Sequence, residues 1–309
     1  MFHRFIAFFG LCLLALIPPL QALAKPDFAQ KIGITVADLG ADDYRFSDLR
    51  IRSKEGERHY RIRFAAPNQP PPAQGYPVIY FLDGNAVLMA LNNELLSELA
   101  KDAHPPLLVM IGYDNALRID APGRAYDYTP QQPADQRGVH PGMPHWRNGG
   151  ADDFLQLIET KIKPAVEARF MVDRQRQTLW GHSFGGIFVL HTLFTQPQAF
   201  QNFIAVEPSL WWGKRFIFNE AQNLLQQHPT LAAHLVLWMG TQRTQKKPDH
   251  AGAGANRNDT RKLAQRLAAL DGLQVHYREW PEYGHGEMLD AAIAPALKEV
   301  VARPRPIDD

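Results

Sequence analysis

The most constraining feature of this chain is a Gly-x-Ser-x-Gly sequence at residues 181–185, between an apolar run and a helix-like run. Residues 177–180 are predicted to form a short strand that enters the motif, and residues 187–194 a buried helix that leaves it. The flanking glycines allow a turn tight enough to hold Ser183 in a strained, exposed position at a sheet edge. The motif therefore predicts that Ser183 is a nucleophile. The alternative is a plain strand-to-helix turn, since small residues recur in turns by chance.

The rest of the chain alternates short apolar runs with amphipathic runs. Residues 78–82 form a continuous apolar run, typical of a strand buried on both faces of a parallel sheet. Strands are predicted at residues 49–51, 59–64, 78–82, 107–111, 177–180, 203–206, 235–239 and 275–280. Helices are predicted at residues 86–99, 152–170, 187–194, 216–227, 259–270 and 288–301. This alternation predicts an α/β fold with a mostly parallel sheet and helices on both faces, and it leaves long connections at residues 113–150 and 241–258.

The first residues have the pattern of a secretory signal peptide rather than of folded structure. A basic start precedes an apolar stretch at residues 5–17, and Ala-Leu-Ala at residues 22–24 is a small-x-small cleavage site. The stretch is too short to span a bilayer, and the residues before Cys12 form a poor lipobox. Cleavage after Ala24 would leave residues 25–309 as one exported domain without a cysteine, which its core alone must stabilise.

The charge balance and the hydropathy exclude two kinds of partner. Lys and Arg number 33 against 32 Asp and Glu, so no field of one sign is expected and nucleic acid is not an expected partner. No later apolar run is long enough for a transmembrane helix. We therefore expect no membrane anchor once the leader has been cleaved.

A serine hydroxyl is a weak nucleophile and needs a base within hydrogen-bond reach. In folds that carry this elbow, an acid and then a histidine follow the serine along the chain. His285 lies in a loop directly after the last predicted strand, so we predict it as the base. His250 in a polar loop and His276 within a strand fit less well. The alternative for His285 is an ordinary surface turn residue between two glycines.

The tetrahedral oxyanion of ester hydrolysis needs two backbone donors. The N–H of Phe184, directly after the nucleophile, is predicted as one of them. The other should come from the loop after the first buried strand, where we predict the N–H of Asn85, with Gly84 supplying the bend. The alternative interpretation of Asp83, Gly84 and Asn85 is a helix-capping turn, which Asp and Asn favour, and both interpretations can hold together.

The acid has the weakest signal. It should follow the strand at residues 235–239, but the sequence there is Gly-Thr-Gln-Arg at residues 240–243. Asp249, Asp259 and Glu282 are the nearby carboxylates, and none is compelling. We predict that Ser183 and His285 work as a dyad, or that a backbone carbonyl or a displaced carboxylate orients the imidazole.

Five segments together resemble the siderophore-esterase branch of the α/β-hydrolases, over nearly the whole mature chain. They are Leu-Asp-Gly-Asn at residues 82–85, Asp-Tyr-Thr-Pro at 127–130, Gly-His-Ser-Phe-Gly-Gly at 181–186, Pro-Ser-Leu-Trp-Trp at 208–212 and Tyr-Gly-His-Gly at 283–286. The serine and histidine motifs are shared by many esterases of this fold. The second and fourth segments are more particular to this branch and to its relatives of unknown substrate.

The resemblance implies a periplasmic enzyme that hydrolyses the ester bonds of a cyclic or linear tri-catecholate siderophore, enterobactin or salmochelin, with or without Fe(III). Members of this branch are described as using a Ser–His dyad, which fits the missing acid. The implied partner is therefore a small-molecule siderophore ester, and no cofactor is implied. Iron would arrive inside the substrate.

Two aromatic residues and several cations are compatible with an anionic aromatic substrate. Trp211 and Trp212 follow the strand after the elbow, on the side of the sheet where ligands bind, although ordinary packing under a loop would explain them equally well. Basic side chains border the same predicted edge: Arg118, Arg124, Arg147, Lys214, Arg215, Arg243 and Lys246. We predict that Arg124 contacts the substrate and that most of the others are solvated.

Two further interpretations are kept beside the siderophore esterase. The chain could be a carboxylesterase for another small or aromatic acyl ester, such as a feruloyl or acetyl ester, or a siderophore-binding protein without turnover. His140 and His145 lie in a Pro-rich loop without carboxylate or thiol neighbours, so no metal site is predicted there.

Overall fold

The structure is a computed structural model that describes residues 27–133, 146–242 and 253–302. The predicted leader with Cys12, the two loop histidines His140 and His145, and the residues Arg243, Lys246, Asp249 and His250 lie outside the described residues. Among the described residues, no helix combines the length and the apolar character needed to cross a membrane.

An eight-stranded sheet forms the centre of the fold, with the strand order β1-β2-β4-β3-β5-β6-β7-β8. The strands are β1 Tyr44–Arg52, β2 His59–Pro67, β3 Tyr76–Phe81, β4 Leu107–Tyr113, β5 Val172–His182, β6 Asn202–Val206, β7 Thr230–Gly240 and β8 Asp271–Trp280. The pairs β1–β2 and β2–β4 are antiparallel, and every other pair is parallel. The predicted mostly parallel sheet is confirmed.

Helices cover both faces of this sheet. They are α1 Val36–Leu39, α2 Gly84–Ala90, α3 Asn93–Leu99, α4 Ala121–Asp127, α5 Ala151–Leu157, α6 Lys163–Glu167, α7 Phe184–Thr195, α8 Trp212–Arg215, α9 Ile217–Gln227, α10 Ala253–Leu267, α11 Met288–Ala291 and α12 Ile293–Ala302, with a π-helical turn at Ile158–Ile162 and a 3-10 turn at Pro197–Ala199. Two buried apolar clusters, one on each side of the sheet, form the core. Every residue of β3, β4 and β6 is buried, because strands covered on both faces have no solvent side.

The structure differs from the sequence-based prediction in three of its helical segments. The helix predicted over residues 86–99 is two helices, because the Asn92 side chain accepts the N–H of Leu95 and so begins α3. The helix predicted over 152–170 is interrupted by the π-helical turn. The long connection 113–150, predicted without secondary structure, contains α4.

The carboxyl ends of the parallel strands meet at one sheet edge, where ligands bind in folds of this class. Three non-glycine residues with positive φ lie there: Asp83 after β3 (51°), Ser183 after β5 (62°) and Glu207 after β6 (48°). Such conformations cost free energy and cluster at functional sites. This edge is therefore the candidate functional site.

Candidate active site

Ser183 lies at a sharp turn between β5 and α7, with φ 62° and ψ −112°. A Cβ atom at Gly181 would lie 2.3 Å from the carbonyl oxygen of Gly185, so residue 181 must be glycine. A Cβ atom at Gly186 would lie 2.9 Å from the Cα atom of Pro208, in the turn after β6. The Ser183 N–H donates to the carbonyl of Val206 at 2.9 Å and joins the elbow to β6. The predicted strand–turn–helix context is confirmed.

His285 lies in the loop between β8 and α11, and its Nε2 atom is 3.1 Å from the Ser183 Oγ atom. This distance is within hydrogen-bond range, so the imidazole can accept the hydroxyl proton. The structure thus brings together the two side chains that the sequence singled out as nucleophile and base.

Glu207, which the sequence analysis missed, supplies a carboxylate to His285. Its Oε2 atom is 3.0 Å from the Nδ1 atom of His285, and its Oε1 atom accepts the N–H of Gly240. Glu207 is buried and follows β6 directly. A carboxylate on Nδ1 keeps the proton on that nitrogen, and the Nε2 lone pair then faces the serine.

Of the alternatives kept for the acid, the geometry matches the displaced carboxylate rather than the bare dyad, because the carboxylate stands at the end of β6 instead of the end of β7. Asp259 does not contact His285, because its Oδ1 atom pairs with Arg215 at 2.7 Å. At the end of β7, a Cβ atom on Gly240 would lie 2.5 Å from the carbonyl oxygen of Tyr283. The loop that carries His285 therefore crosses the position where an acid was expected and leaves room only for glycine.

His182, just before the nucleophile, supports the loop of His285. Its Nε2 atom is 2.7 Å from the carbonyl oxygen of His285. A carbonyl only accepts, so His182 donates through Nε2–H. Burial, together with the nearby His285 ring, holds the pKa of His182 well below its usual range, so this side chain is neutral.

The loop after β3 holds two of the three predicted oxyanion-hole residues, Gly84 and Asn85, at the start of α2. A Cβ atom at Gly84 would lie 2.6 Å from the backbone of Met110, so the bend requires glycine. The Asn85 side chain donates to the carbonyls of Tyr113 and Leu117 and accepts from Arg63, and this fixes its backbone against the end of β4.

The second predicted donor, Phe184, begins α7. The N–H groups of Phe184 and Asn85 therefore both belong to the first turn of a helix, where amide donors point out of the helix end and attract negative charge. This is the backbone environment that an oxyanion requires.

Arg124 lies at the site and is paired within the protein; its predicted contact with substrate stays a prediction. Its guanidinium makes two hydrogen bonds to Asp83, at 2.8 and 2.9 Å, and one to the carbonyl of His182 at 3.0 Å. The Asp83 N–H is bound in turn by the hydroxyl of Tyr128. Arg124 thus ties the loop after β3 to the nucleophile elbow, because a planar guanidinium can hold a carboxylate and a carbonyl together.

A buried carboxylate, Asp127, anchors α4, the helix that carries Arg124. Asp127 accepts hydrogen bonds from the hydroxyls of Tyr60 and Tyr113 and pairs with Arg58. Burial raises the pKa of Asp127 to about 6, although Arg58 and the two hydroxyls act in the opposite direction. The Asp-Tyr-Thr-Pro segment is therefore a structural support for the site.

The two tryptophans after β6 have different environments. Trp211 is 40% exposed, and its ring centroid is 6.1 Å from that of Phe184, beside the nucleophile. Trp212 is 5% exposed and belongs to the core. The packing interpretation is therefore correct for Trp212, whereas Trp211 presents an aromatic face at the site.

Three of the other basic side chains that border the predicted edge pair with carboxylates of the protein. Arg118 pairs with Asp290, Arg147 with Glu57 and Arg215 with Asp259. Within the described ranges, no group of three His, Cys, Asp or Glu residues could hold a metal ion.

A buried histidine supports the helix that follows the nucleophile. His191 on α7 is 3.0 Å from Glu220 through Nδ1 and 3.2 Å from Asp152 through Nε2. Burial lowers the pKa of His191, but the two carboxylates outweigh it and raise the pKa to about 9. The charged imidazolium therefore joins α7 to α5 and α9.

We expect this ion pair to make the free energy of unfolding fall as the pH becomes alkaline. The folded pKa of about 9 is above the unfolded value, so the stabilisation is complete below about pH 6.5 and is lost as pH rises to about 9. In the wild type, the free energy of unfolding measured with urea should fall by up to about 3 kcal/mol across this pH range. In His191→Gln this decline should be absent. The exposed His59→Gln is the control. Equal slopes in the wild type and His191→Gln would contradict the assignment.

Comparison with known proteins identifies the family of this chain. The model of the Esterase family matches residues 53–288. The chain is 36% identical over 300 residues to the apo-salmochelin esterase of Escherichia coli O6:H1, covering 96% of this chain and 92% of that protein. It is 32% identical over 262 residues to the ferri-bacillibactin esterase BesA of Bacillus subtilis, covering 82% and 88% of the two chains.

Solved structures show the same fold. The enterobactin and salmochelin hydrolase IroE superposes with a TM-score of 0.70 at 34% identity, covering 87% of this chain and 99% of that one. A complex of IroE with DFP, a serine-hydrolase inhibitor, gives a TM-score of 0.71 over the same shares. The fold is thus the α/β-hydrolase fold, and the chain belongs to the Esterase family, in the branch that contains the siderophore esterases.

Proposed function

We propose that this chain is a serine esterase that hydrolyses the ester bonds of a tri-catecholate siderophore of the enterobactin type. The observation that carries the proposal is the Ser183–His285–Glu207 arrangement at the carboxyl edge of the sheet. Relationship to siderophore esterases over most of the chain supports this substrate class. Hydrolysis would open or shorten the trilactone and so weaken its hold on iron.

In the first step, Ser183 Oγ attacks the ester carbonyl while His285 Nε2 takes the hydroxyl proton. The Glu207 carboxylate stabilises the imidazolium that forms, through Nδ1–H. The N–H groups of Asn85 and Phe184 would bind the oxyanion, and Gly84 provides the bend that exposes the first of them. The imidazolium then protonates the leaving hydroxyl, and the acyl group remains on Ser183.

In the second step, His285 activates a water molecule that attacks the acyl-enzyme. The oxyanion forms at the same donors, and the imidazolium returns its proton to Ser183 Oγ as the acid product leaves. The iron of a ferric siderophore would remain bound to catecholate oxygens during both steps. The serine chemistry therefore needs no cofactor of its own.

The exposed face of Trp211 is a surface on which a catechol ring can stack. We expect Trp211→Ala to raise KM for the siderophore by roughly 3- to 10-fold, because an aromatic contact is worth about 1 kcal/mol. Trp211→Phe should retain most of the affinity, and hydrolysis of ethyl acetate should be unchanged in both variants. Steady-state kinetics on the two substrates checks this. An equal loss on ethyl acetate would instead mean that Trp211 supports the elbow.

We also propose export to the periplasm, which the signal-peptide pattern of residues 1–24 supports. Cell fractionation with N-terminal sequencing of the recovered protein tests this. A mature protein that begins at Lys25 in the periplasmic fraction is expected. Recovery of the uncleaved chain from the cytoplasm would contradict export.

The two other functions make different predictions. A carboxylesterase for other small or aromatic acyl esters would use the same side chains but would leave enterobactin intact. A siderophore-binding protein would bind the siderophore without hydrolysing it. The assembled Ser183, His285 and Glu207 argue against this function.

The decisive experiment is incubation of the purified protein with iron-free and ferric enterobactin, followed by mass analysis of the products. Ser183→Ala is the inactive control, and His276→Ala, on β8, is the matched control for a histidine outside the site. We expect linear trimer, dimer or monomer to appear only with an intact Ser183. Intact enterobactin with continued hydrolysis of p-nitrophenyl acetate would favour the general carboxylesterase, and no hydrolysis of either would favour the binding protein.

A further inference from the structure

The turn after β6 contacts both members of the catalytic pair. Glu207 meets His285, and two residues later Ser209 meets the nucleophile: its Oγ atom is 3.1 Å from the Ser183 Oγ atom. Ser209 is 1% exposed, and its backbone N–H donates to the carbonyl of Ser183 at 3.3 Å. Side chain and backbone of Ser209 therefore both bind the nucleophile residue.

A buried amide fixes Ser209 in this position. The Asn256 side chain, on α10, donates to the carbonyl of Pro208 at 2.9 Å and accepts the N–H of Leu210 at 2.9 Å. One side chain thus holds the peptide groups on both sides of Ser209. The placement of the hydroxyl against Ser183 is therefore preorganised and does not depend on a flexible side chain.

The direction of the hydrogen bond follows from the proton count. Ser183 has one hydroxyl proton, and in the reactive arrangement it is donated to His285 Nε2. The Ser183 Oγ atom can then only accept from Ser209. The Ser209 hydroxyl is therefore the donor between the two serines.

We propose that Ser209 is a catalytic residue that donates a hydrogen bond to Ser183 Oγ and accelerates its departure from the acyl-enzyme. The inference rests on the serine mechanism proposed above. When the second tetrahedral intermediate collapses, the bond from carbon to Oγ breaks and its electron pair goes to Oγ. The His285 imidazolium supplies the proton to this oxygen. Ser209 keeps its own proton and stabilises the negative charge as it develops.

This donor acts mainly on deacylation. In the free enzyme, Oγ is a hydroxyl oxygen that already accepts well, so Ser209 stabilises the ground state and the transition state of acylation to similar degrees. In the acyl-enzyme, Oγ is an ester oxygen and a poor acceptor, and it becomes a strong acceptor only as it leaves. Interactions that strengthen in the transition state are the ones that accelerate a step.

Pre-steady-state hydrolysis of p-nitrophenyl acetate tests this, with the acetyl-enzyme quantified by mass spectrometry of the intact chain. For Ser209→Ala we expect acetylation to change little and deacetylation to slow on the order of 10- to 100-fold, as for loss of a hydrogen bond to a developing charge. The acetyl-enzyme should accumulate above its wild-type level. The amount of acetyl-enzyme also gives the fraction of protein molecules with an intact active site. This distinguishes slow turnover from misfolding.

Three further variants complete the test. Asn256→Ala keeps Ser209 but removes its support, and we expect a smaller effect in the same direction. Ser97→Ala removes a serine hydroxyl that binds Asp43 outside the site and should behave as wild type. If Ser209→Ala shows no excess acetyl-enzyme, whether its turnover is unchanged or lowered, Ser209 is not a deacylation donor. Acetylation or turnover that persists in Ser183→Ala would instead overturn the proposed serine mechanism itself.

Discussion

Replacing Ser183 with Ala should lower kcat for ester hydrolysis on the order of 10⁵-fold, since loss of a catalytic serine removes the covalent route entirely. The Oγ atom lies 3.1 Å from His285 Nε2. His285→Ala should lose a similar factor, because an unactivated serine hydroxyl is a poor nucleophile. Steady-state kinetics with p-nitrophenyl acetate, alongside thermal unfolding, measures both effects.

The double variant Ser183→Ala/His285→Ala is the internal control. Residues that act as one unit give strongly non-additive losses, so the double variant should be no slower than either single variant. Additive losses would mean that the two side chains act independently, which would contradict the mechanism proposed for them.

Glu207→Gln should lower kcat on the order of 10²- to 10⁴-fold with little change in KM, which is the range for removing the acid of a triad. The reason lies in the second oxygen of Glu207, which accepts the N–H of Gly240. A glutamine would keep its carbonyl oxygen towards Gly240 and so present its NH₂ group to His285 Nδ1. That contact favours the tautomer with the proton on Nε2, which cannot accept from Ser183.

The control for this prediction is Glu282→Gln, the nearby carboxylate that the sequence offered and that lies in the loop before His285. We expect wild-type kinetics from it. A decrease in kcat of less than about 5-fold in Glu207→Gln is far below the factors typical of triad acids. It would mean that the enzyme works as a Ser–His dyad with an accessory carboxylate. A loss of stability without a loss of kcat in the folded fraction would point to the same conclusion.

The acid illustrates why one part of the site was missed. The acid was expected at the end of β7, between the nucleophile and the histidine along the chain. In this fold the His285 loop passes directly over Gly240, where a side chain would meet the Tyr283 carbonyl. The one signal for Glu207 was a carboxylate directly after the strand at residues 203–206, next to the elbow strand in a parallel sheet.

The surroundings of Arg124 and Trp212 could not be predicted from the sequence for a different reason. Sequence places both near the active edge, and the structure confirms this location. Whether a side chain there faces substrate or protein depends on neighbours that are distant along the chain. Arg124 meets Asp83, 41 residues away, and Trp212 packs into the core.

The sequence alone determined the α/β class, the nucleophile elbow and the histidine, because each is a local property. Alternating apolar and amphipathic runs define the elements, the glycines around Ser183 permit only one kind of turn, and His285 follows the last strand directly. Only the tertiary structure decided the identity of the acid, the internal role of Arg124 and the contact of Ser209 with the nucleophile. These depend on the spatial order of the strands, which places the ends of β5 and β6 side by side and brings the loop after β8 across β7 to reach them.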